Sequence, residues 1–263
     1  MFNDAKASQN LNKMAKVKSL IKVEGTLDDV TYYKSQDGFM ARKKGGVSKN
    51  RIAKDPAFAR TRENGTEFGS VARSGKHLRH AITGLLAMAK DNRVTSRLTQ
   101  VLSQVKNEDL ISIRGQRNVA VGIATVPGKG WLKGFNFNSR APLESIVLNN
   151  YVLNTATGEI VLTDLNPEQQ VAYPEGATHF TLQCGFLNLD FSNPQAYDLQ
   201  VSPEVNVALS GNASSVTLTP TAPAVGSGES YYFLKVAFFQ ELNGNQYALK
   251  NGAHNCLALI EIV

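Results

Sequence analysis

Residues 231–241 read YYFLKVAFFQE, and this stretch decides the fold. In an extended chain successive side chains point to opposite faces. Tyr232, Leu234, Val236 and Phe238 therefore share one face, and Tyr231, Phe233, Ala237 and Phe239 share the other. Both sets are apolar, so a strand made this way must be covered on both sides. The terminal run CLALIEIV, residues 256–263, behaves alike, with Cys256, Ala258, Ile260 and Ile262 set against Leu257 and Leu259. Two sources of cover for the second face stay open: N-terminal helices of the same chain, or another subunit. In the second case Tyr231, Phe233 and Phe239 become contacts between subunits.

Working outward, short strand-like runs recur throughout residues 141–263: SIVLNNYVL, GEIVLTDL, THFTLQCGFLNLDF, YDLQVSPEVNVAL, SSVTLTP and QYALK. Turn signals separate them at Thr157-Gly158, Pro174-Glu175-Gly176, Asn193-Pro194, Ser210-Gly211-Asn212, Gly226-Ser227-Gly228 and Asn243-Gly244. This spacing predicts an antiparallel β-sandwich or barrel, and we take the sandwich. Cys184 and Cys256 sit inside two of the apolar runs with no cysteine framework around them, which predicts free buried thiols.

The first 140 residues have another character. Residues 1–16 form a polar arm. VKSLIKVEGTL from Val17 favours a strand, and Asp37-Gly38 between two short apolar runs predicts a hairpin, because glycine tolerates the positive φ of a tight turn. Asp55-Pro56 predicts a helix start, with aspartate as N-cap and proline in the first turn. Asn64-Gly65 is expected to end that helix early. Further helices are expected over Thr66–Lys90 and Thr95–Lys106, where apolar residues recur at helical spacing. Ile111–Val126 reads as strand, and Pro127-Gly128-Lys129-Gly130 as a turn before Trp131. The expected fold class is thus α+β: a polar arm (1–16), a basic N-terminal hairpin-plus-helices region (17–140), and an acidic antiparallel β-sandwich domain (141–263).

Charge divides along the same line. Residues 1–140 hold 26 Lys and Arg against 11 Asp and Glu, a net of +15, while residues 141–263 hold 2 against 11, a net of −9. Opposite fields on two halves attract a polyanion to one half, or one copy of the protein to the next. The contact residues expected in either case are Arg42, Lys43, Lys44, Lys49, Arg51, Lys54, Arg60 and Arg62, with Arg73, Lys76 and Arg79 beyond them. Such cations can neutralise phosphates without reading sequence, and the sparse aromatics among them favour phosphate contact over base stacking.

No pattern with catalytic specificity occurs. His77 and His80 lie three apart but have no carboxylate or cysteine to complete a metal set. Residues 128–134, GKGWLKG, lack the ending of a phosphate-binding loop. KGFNFN, residues 133–138, echoes an RNA-recognition strand but departs from it at Asn138-Ser139-Arg140, which leaves a partly buried aromatic strand as the plain reading. No cofactor and no enzymatic activity are expected. A hydrophobic fraction of 42% with 19% charged residues is that of a folded chain. Its longest apolar stretches, such as Ile82–Ala89 and Tyr231–Phe239, fall short of the ~20 residues that span a bilayer. The first sixteen residues lack the apolar core of a signal peptide. The expectation is therefore synthesis in the cytoplasm with no membrane span, the final location open and a released or extracellular assembly included.

KVEGTLDDVTYYKSQDG (22–38), GGVSK (45–49), DPAFARTREN (55–64), DNRVTSRL (91–98), KGFNFN (133–138) and LKNGA (249–253) together resemble an uncharacterised family of hypothetical proteins common in Bacteroidota genomes. The resemblance implies a bacterial origin and argues against a nuclear role for the basic run. The family carries no established activity, so it lends no residue a role. The expected function is a structural subunit that self-assembles into a filament, tube or shell through basic-to-acidic and apolar strand contacts. The alternative is a nucleic-acid-binding protein that uses the basic half.

Overall fold

The computed structural model describes residues 15–16, 23–35, 37–43, 45–89, 91–193 and 195–263, with backbone alone at 15, 16, 250 and 251. Residues 1–14 of the expected arm, 17–22 of the first strand-favouring run, Lys44, and Pro194 of one expected turn lie outside the described residues. The chain divides into two compact units, Met1–Thr61 and Arg62–Val263. The division therefore falls well ahead of the expected boundary at Arg140. The reason is that the helices between Arg62 and Arg140 share one core with the C-terminal strands.

In the first unit β1 (Ala15–Lys16), β2 (Gly25–Leu27), β3 (Val30–Ser35) and β4 (Gly38–Lys43) form an antiparallel sheet in the order β1-β4-β3-β2. The expected hairpin joins β3 to β4. Gly38 takes φ 110°, and Ser35 Oγ accepts from Asp37 N at 3.2 Å and donates to Gly38 O at 3.1 Å. Helix α1 (Lys49–Lys54) is capped by Ser48, whose hydroxyl accepts from Arg51 N. Asp55 caps the 3-10 turn Pro56–Phe58 by accepting from Ala57 N, as its sequence predicts.

Helix α2 (Ala59–Ala81) runs straight through Asn64-Gly65, against expectation. A glycine inside a helix costs about 1 kcal/mol, and burial of Glu67, Val71, Ser74 and Leu78 on one face outweighs it. The helix expected over Thr66–Lys90 instead breaks at Ile82, where Thr83 Oγ1 donates to His80 O at 2.8 Å and α3 (Thr83–Leu86) begins. Helix α4 (Val94–Asn107) matches its expected span to within a residue at each end. Ile111–Val126 is not a strand. It is a loop followed by α5 (Val119–Ile123), and the expected glycine turn lies within α6 (Val126–Leu132). Asn118 and Thr125 cap these two short helices, their side chains accepting from Val121 N and Gly128 N.

After α7 (Leu143–Ile146) the strands are β5 (Tyr151–Leu153), β6 (Ile160–Leu165), β7 (His179–Leu189), β8 (Tyr197–Val201), β9 (Val205–Ala208), β10 (Ser214–Leu218), β11 (Glu229–Leu242), β12 (Asn245–Ala248) and β13 (Cys256–Ile262). A short helix, α8 (Pro167–Gln170), follows β6. All pairings are antiparallel. β11 lies beside β7 along Glu229–Phe239 on one side and beside β13 and then β12 on the other. The far side of β7 carries β8 and β9. A separate three-stranded sheet has the order β10-β6-β5. The architecture is α+β.

The two faces of β11 enter two different cores. Tyr231 and Phe233, with Leu187, Leu189, Leu257 and Leu259, pack under Leu78, Ile82, Leu85, Leu98 and Leu102 of α2–α4. Tyr232, Leu234, Val236 and Phe238 pack with Phe180, Leu182 and Cys184 against Ile160, Leu162, Val216 and Leu218 of the small sheet. Helices of the same chain thus cover the second face at Tyr231 and Phe233. A bulge in β13 between the partners of Tyr232 and Phe233 moves Ile262 to the helical core, away from the face it was expected to share with Cys256. Both cysteines are free and buried, as expected, and burial pushes the Cys256 thiol up to about 12.

Close backbone approach makes two predictions. A Cβ on Gly122 would stand 2.0 Å from Val105 O, because α5 crosses directly over the end of α4. Gly122→Ala is expected to lower stability by about 3 kcal/mol or more. Gly65 meets nothing within 4 Å, so Gly65→Ala is expected to raise stability by about 1 kcal/mol. Urea denaturation of the two variants reads both signs.

Candidate functional site

Glu67 is 2% exposed on the inner face of α2. Its carboxylate accepts from Arg117 through both oxygens at 2.9 Å, from Lys106 Nζ at 2.7 Å and from Gly115 N at 2.8 Å. A bidentate guanidinium is the strongest partner a carboxylate finds in a protein. It comes first among the causes that hold the Glu67 carboxyl down to about 2, against the opposing effect of burial, with Lys106 and Gly115 adding to it. Arg117 is raised by the same pair.

A second buried carboxylate stands on the loop that follows α4. Asp109, 1% exposed, accepts from Ser112 N at 2.9 Å, Asn118 N at 3.0 Å and Ile111 N at 3.3 Å. Burial pushes this carboxyl up, and the N–H groups outweigh it and leave it below its ordinary value. Glu67 ties Gly115 and Arg117 to α2 and to Lys106 of α4, and Asp109 ties Ile111, Ser112 and Asn118 to one another. Arg114 adds a contact to Glu63 at 3.2 Å, and Trp131 Nε1 donates to Glu108 at 2.8 Å.

On this braced backbone the side chains are presented outward. Leu110 is 86% exposed, Ile111 83% and Ile113 68%, and Val126 at the start of α6 is 85% exposed. Scattered exposed leucines are ordinary, but several large apolar side chains on one held loop make it a candidate interaction surface. The sequence conceals this surface, because the stretch from Ile111 to Val126 reads as strand. The helix-start signals at Asn118 and at Thr125-Val126-Pro127 were the available clue that no strand runs through here.

The residues singled out from sequence fall in several places. Arg42 lies on β4 with its guanidinium 5.6 Å from the Tyr33 ring, and Lys43 ends that strand, exposed. Lys49, Arg51 and Lys54 lie on α1, all exposed, with Arg51 bonded to Asp55 at 3.1 Å and placed over Phe58. Arg60 and Arg62 lie on the first turn of α2. Tyr231 and Phe233 are fully buried and Phe239 partly so. Phe135 and Phe137, the aromatics of the RNA-motif echo, are 7% and 0% exposed and cannot stack on bases.

Some of the opposite charge of the two halves meets inside the chain. Lys129 and Lys133 of α6 and its end pair with Glu229 at 2.5 Å and Glu261 at 2.6 Å, at the edges of β11 and β13. Among the described residues no three or more His, Cys, Asp and Glu come together as a metal site, and no helix is long and apolar enough to cross a membrane. No protein-family model, curated protein or solved structure matches the chain.

The Glu67 cluster has a pH signature. Its folded value of about 2 lies below its ordinary 4.5, so its contribution is complete above about 4.5 and is lost as pH falls toward about 2. Glu67→Gln leaves Lys106 and Arg117 without their counter-charge and is expected to cost about 3 kcal/mol near neutrality. Urea melts of both proteins from neutral pH downward should show the difference between them shrinking across that window.

Proposed function

We propose that the protein is a non-enzymatic structural subunit that associates with further copies of itself, docking the loop Leu110–Ile113 on a neighbour. The observation that supports this is the near-complete exposure of Leu110 and Ile111 on a backbone held by two buried carboxylates. Ordering costs little when a loop is already fixed, so its apolar area is available for association. The neighbour's contribution is its acidic half, whose net charge of −9 complements the cations on the first unit. A contact between unlike surfaces propagates, which leads to a ring, filament, tube or shell. Tyr231 and Phe233 take no part, because their own chain covers them. We read the three- and six-stranded sheets that share a core as a β-sandwich, and the family resemblance as placing the protein in a bacterium.

A second reading, nucleic-acid binding, is favoured by one observation: exposed Lys43, Lys49 and Lys54 have no ion-pair partner among the described residues. Free cations of this kind release counterions from a phosphate backbone.

Light scattering coupled to size exclusion is expected to show mass rising with concentration for the natural protein. Ile111→Asp with Ile113→Asp is expected to return it to a monomer with an unchanged circular dichroism spectrum, since both side chains are exposed. A strict monomer at every concentration and salt sinks the proposal. For the second reading, gel retardation of random-sequence DNA is expected to weaken steeply with salt, and absence of retardation at low salt removes it.

A further inference from the structure

Where the chain breaks at Ile82, the end of α2, helix α3, the loop through Asp91 and Asn92 and the first turn of α4 enclose an open groove of about 650 Å³. Lys76, Arg79, His80, Thr83, Asn92 and Thr95 line it. The single carboxylate in the lining, Asp91, is already engaged. It accepts from Arg97 at 2.6 Å, from Ser139 N and Oγ at 2.9 and 2.7 Å, and from Arg93 N at 2.7 Å. The charge left facing the groove is positive.

Arg79 is the informative residue. It is half-buried, and burial weighs against its charged form. Its Nε donates to Gly75 O at 3.0 Å, one terminal nitrogen donates to Thr95 Oγ1, and no carboxylate among the described residues pairs with it. Withdrawing a guanidinium from water without a counter-charge is unfavourable, and an anion in the groove removes the deficit. The favourable interaction of cations with a helix C-terminus accounts for His80 in the last turn of α2. It does not account for Lys76 a turn earlier, or for Arg79 reaching across to α4.

The opposite wall supplies directed donors. Helix α4 has 14 residues, and its N-cap residue Arg93 makes no side-chain cap. The N–H groups of Thr95 and Ser96 have no acceptor among the described residues. Such a terminus, with its positive end of the helix dipole, suits phosphate and similar anions.

We propose that this groove binds a phosphoryl anion, with Lys76 and Arg79 supplying charge and the first turn of α4, with the Thr83 and Thr95 hydroxyls, supplying hydrogen bonds. The site is independent of the self-association proposed above: none of its residues lies on the apolar loop. The same chemistry is offered by a free phosphoryl compound and by the backbone of a nucleic acid.

Calorimetric titration of the full chain with inorganic pyrophosphate at low ionic strength tests it. Lys76→Gln with Arg79→Gln is expected to weaken binding about tenfold or more, while Lys49→Gln with Lys54→Gln on the first unit leaves it within about twofold. Circular dichroism checks folding. Should the first pair fail to fold, Thr95→Asp, which places a carboxylate on the exposed rim, is expected to abolish binding instead. No pyrophosphate binding by the natural protein, or equal losses in both lysine-containing pairs, overturns the proposal. Competition by oligothymidylate identifies the source as nucleic acid, and pyrophosphate binding without competition identifies a free phosphoryl compound; either supports the groove.

Discussion

The structure depends on one constraint: β11 carries large apolar side chains on both faces, and water must be kept from each. Two layers are needed to do this, and the chain supplies different ones. α2, α3 and α4 bury Tyr231 and Phe233, while β6 and β10 bury Tyr232, Leu234, Val236 and Phe238. Gly185 on the adjacent β7 marks how near the helical layer comes, since a Cβ there would stand 2.6 Å from Leu85 Cδ1. Polar clamps then fix the layers at their edges. Arg97 donates to the carbonyls of Asn136 and Phe137, and Asn255 joins Met88 O to Phe238 N.

The same logic applies to charge. Buried carboxylates in this protein are saturated, and each saturated carboxylate holds a loop in place. Glu67 and Asp109 hold 109–118, and Asp91 holds the start of α4 to Ser139. Cations, by contrast, are in excess and only partly paired. The residues available for partners are therefore cations and the apolar side chains that the braced loop displays, which is why the functional proposals rest on those two kinds of surface.

Much of the strand half was legible. The apolar runs GEIVLTDL, THFTLQCGFLNL and ESYYFLKVAFFQEL, bounded by turn signals such as Thr157-Gly158 and Asn243-Gly244, locate β6, β7 and β11 closely, because turn residues punctuate strands locally. The hairpin turn at Asp37-Gly38 and the cap at Asp55-Pro56 were legible too. Residues 109–118 were not. Leu110, Ile111 and Ile113 point to solvent, and part of what fixes their backbone is Glu67, more than forty residues earlier in the chain, so no local pattern carries the information.

By itself the sequence determined that strands dominate after Arg140, that β11 and β13 need cover on both faces, and that charge divides along the chain. Those properties reside in the order of side chains along a few neighbouring residues. Only the tertiary structure decided who provides the cover, where the units divide and which side chains remain outside. Each of these depends on long-range contacts, such as Leu85 on Gly185 and Arg117 on Glu67, that bring distant residues together. The strand 231–241 announced a need for two layers, and the packing of α2–α4 onto it settled that the chain meets that need from within.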